Sequence, residues 1–194
     1  LPLPNQSVAR TRAEAIAIAE KIGYPVIAKI SSPDIVHKTD VGGVAANLKT
    51  AAEVEAAYDT ILKNIRLNAP DAAAEGILIQ KFLPAGDEFI VGGIRDAAFG
   101  PLIMAGLGGI YTELFKDASV RIGPVTADQA YSMLQELTSW KLLRGMRGKS
   151  QSDIDALAQL TVKVSEMMCD CPRIRELDLN PVLVSSEGIT IADV

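Results

Sequence analysis

Short apolar, β-branched segments alternate along this chain with helix-period segments, and glycine or proline cuts off each one. Residues 24–30 (YPVIAKI), 44–48, 76–82 (GILIQKF), 88–95 and 100–107 have the length and residue types of strands. Residues 11–22 carry Ala13, Ile16, Ala17 and Ala19 at helical spacing, with Gly23 as a stop. Thr50 followed by Glu53 is a capping-box signature for a helix running to about residue 68. Further helices are expected over 127–136 and 152–168, and a hairpin over 176–184 and 189–193 that turns at Ser185–Gly188. Such a chain folds as an α/β or α+β protein. The punctuation Leu83-Pro84-Ala85-Gly86 places a boundary between two α+β units, residues 1–84 and 85–194. No internal repeat is visible, so a solenoid is excluded.

Composition removes other classes. With 194 residues, 48% of them apolar, the chain builds one substantial core or two small lobes. No apolar run approaches the ~20 residues of a membrane span, and neither a signal peptide nor a lipid-anchor pattern is present. Nineteen basic against 24 acidic residues give a net charge of −5 without a basic run, which argues against a nucleic-acid partner. The expectation is a soluble cytoplasmic chain with no membrane partner. Cys169 and Cys171 form C-x-C with no second pair and no adjacent histidine, so zinc is excluded and reduced thiols are expected. The start at Leu1-Pro2-Leu3-Pro4, without methionine, reads as a piece of a longer polypeptide with part of its machinery elsewhere.

The chemistry-bearing residues fall in four places. Lys29 lies in an apolar strand, where it either snorkels outward as an edge residue or meets an anion. His37, the only histidine, follows in a loop with Lys38, Asp40 and the pair Gly42-Gly43. Glycine amides approach phosphate oxygens closely and lysines add charge, although a lone loop histidine is also a common solvated bystander. Glu88 opens a strand directly after the boundary. A second glycine loop holds Gly108, Gly109 and Glu113, with Arg121 beyond it. Asn180 and Asp193 lie on adjacent antiparallel strands, so their oxygens are able to converge on one hard cation, for which magnesium is suited. Each carboxylate alone reads equally well as a surface charge.

GYPVIAKI, SPDIVHKTDVGGV, GDEFIVG, RDAAFGPLIMAGLGGIYTELFKD, LLRGMRG and ELDLNP stand in an order that resembles the ATP-grasp domain of the NDP-forming acyl-CoA synthetases, the superfamily of ADP-forming acetyl-CoA synthetase and succinyl-CoA synthetase. The matches run from about residue 4 to 194. The resemblance implies an ATP-grasp fold, two α+β lobes with a nucleotide cleft between them, using ATP or ADP with Mg2+. It implies that Lys29 binds nucleotide phosphates, with Lys38 adding charge. Gln80, Lys81, Phe82 and Leu83 would form the hinge strand along the adenine. Glu88 would hold the ribose hydroxyls, and Asn180 and Asp193 the magnesium. His37 would accept a phosphoryl group and pass it on, a step suited to neutral imidazole. The implied reaction is acid + CoA + ATP = acyl-CoA + ADP + phosphate. CoA-binding and ligase domains, in cis or on a partner subunit, would handle CoA and the acid. Two alternatives stand beside it: a regulatory synthetase-like module of a protein lysine acetyltransferase, and an ATP-grasp carboxylate–amine ligase.

Overall fold

The computed structural model describes residues 2–83, 86–108, 117–145 and 150–193. Two compact units make up the chain, Pro4–Pro84 and Ala85–Val194 together with Leu1–Leu3.

The first unit contains β1 (Gln6–Ala9), α1 (Arg12–Ile22), β2 (Val26–Ser31), β3 (Val44–Leu48), α2 (Ala51–Asn68) and β4 (Gly76–Lys81). Its strands pair antiparallel in the order β1-β4-β2-β3. Both helices start on a threonine whose hydroxyl accepts an amide three residues on: Thr11 from Glu14 and Thr50 from Glu53, each at 3.2 Å. In both, the glutamate carboxylate reaches back to the residue before the cap, at Arg10 N and Lys49 N, both 2.7 Å. Period-two alternation puts Val26, Ala28 and Ile30 of β2 and Ile77 and Ile79 of β4 into a core with Ala15, Ala19, Val54, Ile61 and Ile65 from the helices. The same alternation turns Ile27, Lys29, Leu78 and Gln80 to the opposite face.

The second unit contains β5 (Asp87–Asp96), β6 (Gly100–Leu107), β7 (Ala118–Ile122), α3 (Ala127–Glu136), α4 (Trp140–Leu143), α5 (Ile154–Asp170), β8 (Glu176–Ser185) and β9 (Gly188–Ile191). Its sheet is again antiparallel, in the order β7-β6-β5-β8-β9. Met133, Leu134, Leu157, Val164 and Met168 from α3 and α5 pack on Phe89, Val91, Ile103, Leu179 and Val182. Among the described residues, no helix of this unit packs on the other sheet face.

Of the two fold classes expected, α+β is the one realised, because every described strand pairing is antiparallel. The strands β1 and β7 and the short helix α4 were not anticipated. β1 and β7 are edge strands of four and five residues with mostly exposed side chains, so neither carries a buried apolar stripe to read. Cys169 and Cys171 are free thiols. Among the described residues no helix is long and apolar enough to cross a membrane.

Candidate functional site

Lys29 faces Leu78 on β4 and Val44 on β3, and is only 8% exposed. Gln80 sits one diagonal away on the same sheet face and is 3% exposed. A lysine this enclosed among apolar neighbours keeps its charge only with polar or anionic company. Lys81, next along β4, is used differently. Its ammonium donates to the carbonyls of Gly23 and Tyr24 at 2.8 and 2.9 Å, where a cation suits the C-terminal end of α1. The Phe82 amide donates to the Pro25 carbonyl at 3.1 Å, so residues 81–82 are moored to the α1–β2 turn. The Lys81 side chain is thereby engaged at this turn.

His37 lies on the exposed part of the β2–β3 loop. The amide of Gly43 donates to the Lys38 carbonyl at 2.8 Å and that of Gly42 to the Thr39 carbonyl at 3.0 Å, with Gly42 at φ 68°. This is the paired bonding of a Schellman turn, which needs a left-handed residue where Gly42 stands. A Cβ on Gly43 would come within 2.6 Å of Ile30 Cγ2 and 2.8 Å of the Lys38 carbonyl oxygen. The pair is therefore required by the turn and its packing. Both amides, read from sequence as an anion cradle, are donated inside the loop.

In the second unit, Glu88, Ile90, Gly92 and Ile94 form a row on the helix-free face of β5. Gly92 pairs with Asp178 and Ile94 with Glu176 on β8. Further along, the register slips: Phe89 faces Val182 but Val91 faces Leu179. One extra residue on β8 at this bulge lets Leu179 and Val182 both point into the core, and turns Asn180 to the open face with Asp178. The β8–β9 ladder pairs Val182 with Ile191, and the Ala192 amide donates to the Pro181 carbonyl at 2.9 Å. Asn180 and Asp193 are the residues next to this last bond on the two strands.

Beside these groups is a pocket of about 250 Å³ with an apolar floor of Ile90, Leu102, Met104 and Val120 and an acidic rim of Glu176 and Asp178. Partial burial, then the charges of Glu176 and Asp193, raise the Asp178 carboxyl above the ordinary aspartate range. Sequence reasoning passed over Asp178, although its place two residues before Asn180 in ELDLN puts it on the same side of the strand up to the bulge. Asn180, Asp193 and Asp178 offer only hard oxygen donors, which fits magnesium, a cation that takes few protein ligands and completes its shell with water and phosphate oxygens. Among the described residues no three His, Cys, Asp or Glu side chains form a closed metal cluster.

The second glycine loop is described only at its neck; Gly109 and Glu113 lie outside the described residues. The Gly108 amide donates to the Glu88 carbonyl at 2.8 Å, and a Cβ there would lie 2.7 Å from the Phe89 backbone. Close strand packing, not an anion, occupies this amide. Asp117 receives the amides of Thr138 and Ser139 at 2.7 and 2.8 Å. Burial alone would raise its carboxyl; these hydrogen bonds outweigh it and hold the carboxyl below the usual range. Arg121 shares the helix-facing side of β7 with buried Ser119 and forms an ion pair with Glu136 of α3. Its guanidinium is thus turned away from the face carrying Asn180 and Asp178.

The family model described as an ATP-grasp domain matches residues 1–194. The chain is 47% identical over 186 residues to "Acetate--CoA ligase [ADP-forming] I" of Archaeoglobus fulgidus, covering 96% of this chain and 27% of that protein. It is 44% identical over 193 residues to "Acetate--CoA ligase [ADP-forming] I subunit beta" of Pyrococcus furiosus, covering 100% of this chain and 83% of the subunit. The chain thus spans about a quarter of the first relative and most of the second. An acetyl-coenzyme A synthetase of Ca. Korarchaeum cryptofilum, solved with coenzyme A and Ca-AMPCP, superposes with a TM-score of 0.97 at 43% identity, over 99% of this chain and 84% of that one. The same synthetase is also known with Mg-AMPPCP and its phosphohistidine segment pointing towards the nucleotide binding site.

Proposed function

This chain belongs to the ATP-grasp domain family, and from that premise we propose that it is the nucleotide-binding, phosphoryl-transferring part of an ADP-forming acyl-CoA synthetase. The reaction is acid + CoA + ATP = acyl-CoA + ADP + phosphate, with CoA and the acid bound by domains in cis or by a partner subunit. Residues 4–84, and residues 85–194 with residues 1–3, are its two ATP-grasp subdomains. The observation that carries the reading is the open face of the second sheet, where Asp178 rims an apolar pocket and Glu88 and Asn180 share the same face. Asp193 is near enough for its charge to raise the Asp178 carboxyl. A nucleoside diphosphate with a hard cation needs these features together: an apolar slot for the base, a carboxylate for the ribose hydroxyls and oxygen donors for the metal.

The roles divide accordingly. Glu88 accepts from the ribose hydroxyls, and the backbone of Gln80, Phe82 and Leu83 lines the base. Asn180 and Asp193 hold Mg2+, which when bound neutralises phosphate charge. Lys29 and Lys38 supply positive charge to the phosphates, as phosphoryl transfer chiefly requires. A His37 imidazole nitrogen forms a P–N bond to the terminal phosphorus of ATP as the P–O bond to ADP breaks, and the reverse step returns the phosphoryl group to ADP. Two names support this reading: the relatives' ADP-forming CoA ligases and the solved synthetase's nucleotide analogues. Calorimetry tests it. The chain should bind ADP with Mg2+ and, alone, make no acyl-CoA; absence of nucleotide binding sinks the reading.

A second reading is favoured by the phosphohistidine segment that points towards the nucleotide in the Korarchaeum synthetase. In it, a histidine from the CoA-handling part exchanges directly with the nucleotide and His37 carries nothing. Replacement of His37 separates the two.

A further inference from the structure

Asn64 and Asn68 lie one turn apart on the same side of α2, and both carboxamides reach the turn that carries His37. Asn64 Nδ2 donates to the Gly42 carbonyl at 2.9 Å from a half-buried position, and Asn68 Nδ2 to the Val41 carbonyl at 3.2 Å. We propose that Asn64, assisted by Asn68, is a positioning residue that holds the His37 turn fixed against α2. The proposal rests on the reading of His37 as the phosphoryl carrier for its purpose, but not for its geometry.

The remaining restraints leave this loop little slack. Upstream, the Asp34 carboxylate accepts the Ala73 amide at 2.7 Å, and the Glu75 amide donates to the Ser31 carbonyl at 2.9 Å. Ile35, only 7% exposed, anchors the loop in the first unit's core. Downstream, the Ile30 amide donates to the Gly43 carbonyl at 2.8 Å, tying the end of the turn to the residue after Lys29. Between these ends the turn is closed by Asp40 to His37, Gly42 to Thr39 and Gly43 to Lys38. The carboxamides of Asn64 and Asn68 tie the carbonyls of residues 42 and 41 to the helix, and Val41 packs against the core that α2 helps to form. A Cβ on Gly42 would fall 2.6 Å from Asn64 Nδ2, so backbone and carboxamide meet with no space for a side chain. These bonds describe a platform on which His37 stays put and the phosphoryl donor or acceptor comes to it. Placement of a nucleophile to within about half an ångström is what such support achieves.

The test uses the fact that His37 is the only histidine, so its imidazole gives one unambiguous NMR signal. Asn64→Asp keeps the shape of the side chain but removes the N–H and sets a carboxylate oxygen against the Gly42 carbonyl. Asn64→Leu removes the donor without adding charge. Both are expected to raise fast motion of the His37 ring and of the amides of residues 37–43, while the amides of α2 keep their wild-type relaxation. Asn64→Gln, which retains the donor, should restore most of the order, and Asn68→Ala should give a smaller effect in the same direction. In the assembled synthetase, phosphoryl uptake from ATP should fall about tenfold with nucleotide affinity within about twofold of wild type. Unchanged relaxation of residues 37–43 in both Asn64→Asp and Asn64→Leu overturns the proposal. If these variants unfold, unchanged relaxation in Asn68→Ala does so. A wild-type chain that takes up no phosphate, with the loop still loosened by Asn64→Asp, instead overturns the carrier role of His37 and leaves Asn64 as its positioning residue.

Discussion

One step beyond the Val182–Ile191 pair that ends the β8–β9 ladder, the Ala192 amide donates to the Pro181 carbonyl at 2.9 Å. This bond brings the neighbouring Asn180 and Asp193 to the same end of the sheet, and a bulge in β8 gives Asn180 its orientation. Two oxygen ligands on one ion act as a unit, so their losses should not add. Asn180→Ala and Asp193→Ala are each expected to raise the Mg2+ concentration needed for half-maximal ADP binding by on the order of tenfold, and the double variant to do little more. Titration of Mg2+ in calorimetry at fixed ADP reads this. Fully additive losses would mean that the two side chains serve separate sites.

Lys29→Met separates phosphate recognition from packing. Methionine fills much of the volume of the lysine stem, so the buried surface between Leu78 and Val44 is largely kept. If the ammonium meets phosphate, ADP affinity falls by ~10- to 100-fold, the equivalent of about 1.5–3 kcal/mol for a charge-assisted bond. Adenosine affinity should stay unchanged. An equal loss for adenosine and ADP would show that the lysine shapes the site and does not read the phosphates.

The ion pair between Arg121 and Glu136 bears on stability. The Ser119 hydroxyl, at 2.7 Å, and then the Arg121 guanidinium hold the Glu136 carboxyl below its ordinary value of 4.5. A carboxyl lowered by folding stabilises the protein above that ordinary value, and the contribution is lost as pH falls through the folded value. Glu136→Gln should therefore lower Tm at pH 7 and flatten its decline below about pH 4.5. Melting curves from pH 7 down to about 3 check the slope. Parallel wild-type and variant curves would show the pair to be without consequence for folding.

Most of the elements were legible because their signals are local. Thr11 and Thr50 each stand three residues before a glutamate, and YPVIAKI and GILIQKF are bounded by glycine or proline. Two of the four edge strands were not legible, since β1 and β7 bury too little to show a pattern. The site was legible by residue type and less so by direction. Strand adjacency singles out Asn180 and Asp193 as candidate cation ligands, whereas Asp178 was overlooked because its company with Asp193 exists only in the folded sheet. Arg121 looked like part of a glycine loop, yet period-two alternation on β7 sends it with Ser119 to the helix side. Gly42 and Gly43 read as an anion cradle because a glycine pair suits both an open cradle and a closed turn. Their amide bonds to Thr39 and Lys38 decide between the two.

The histidine is the sharpest remaining test. Asn in place of His37 keeps polarity and removes the nucleophilic nitrogen, and the exposed site means that no packing is lost. The turn itself is held by backbone bonds and by Asn64 and Asn68, none of which uses the imidazole. His37→Asn should therefore leave ADP binding and Tm near wild type. Removal of a covalent catalyst costs several orders of magnitude, so acyl-CoA formation by the assembled synthetase should fall by at least about a thousandfold. Acid-labile phosphate on this chain, read by mass spectrometry under conditions that preserve P–N bonds, should disappear with it. If acyl-CoA is made at near wild-type rates, His37 carries no phosphoryl group and the nucleotide exchanges directly with a histidine supplied by the CoA-handling part. If turnover collapses while phosphate still accumulates on that other part from ATP, His37 acts in a step other than the one that meets the nucleotide.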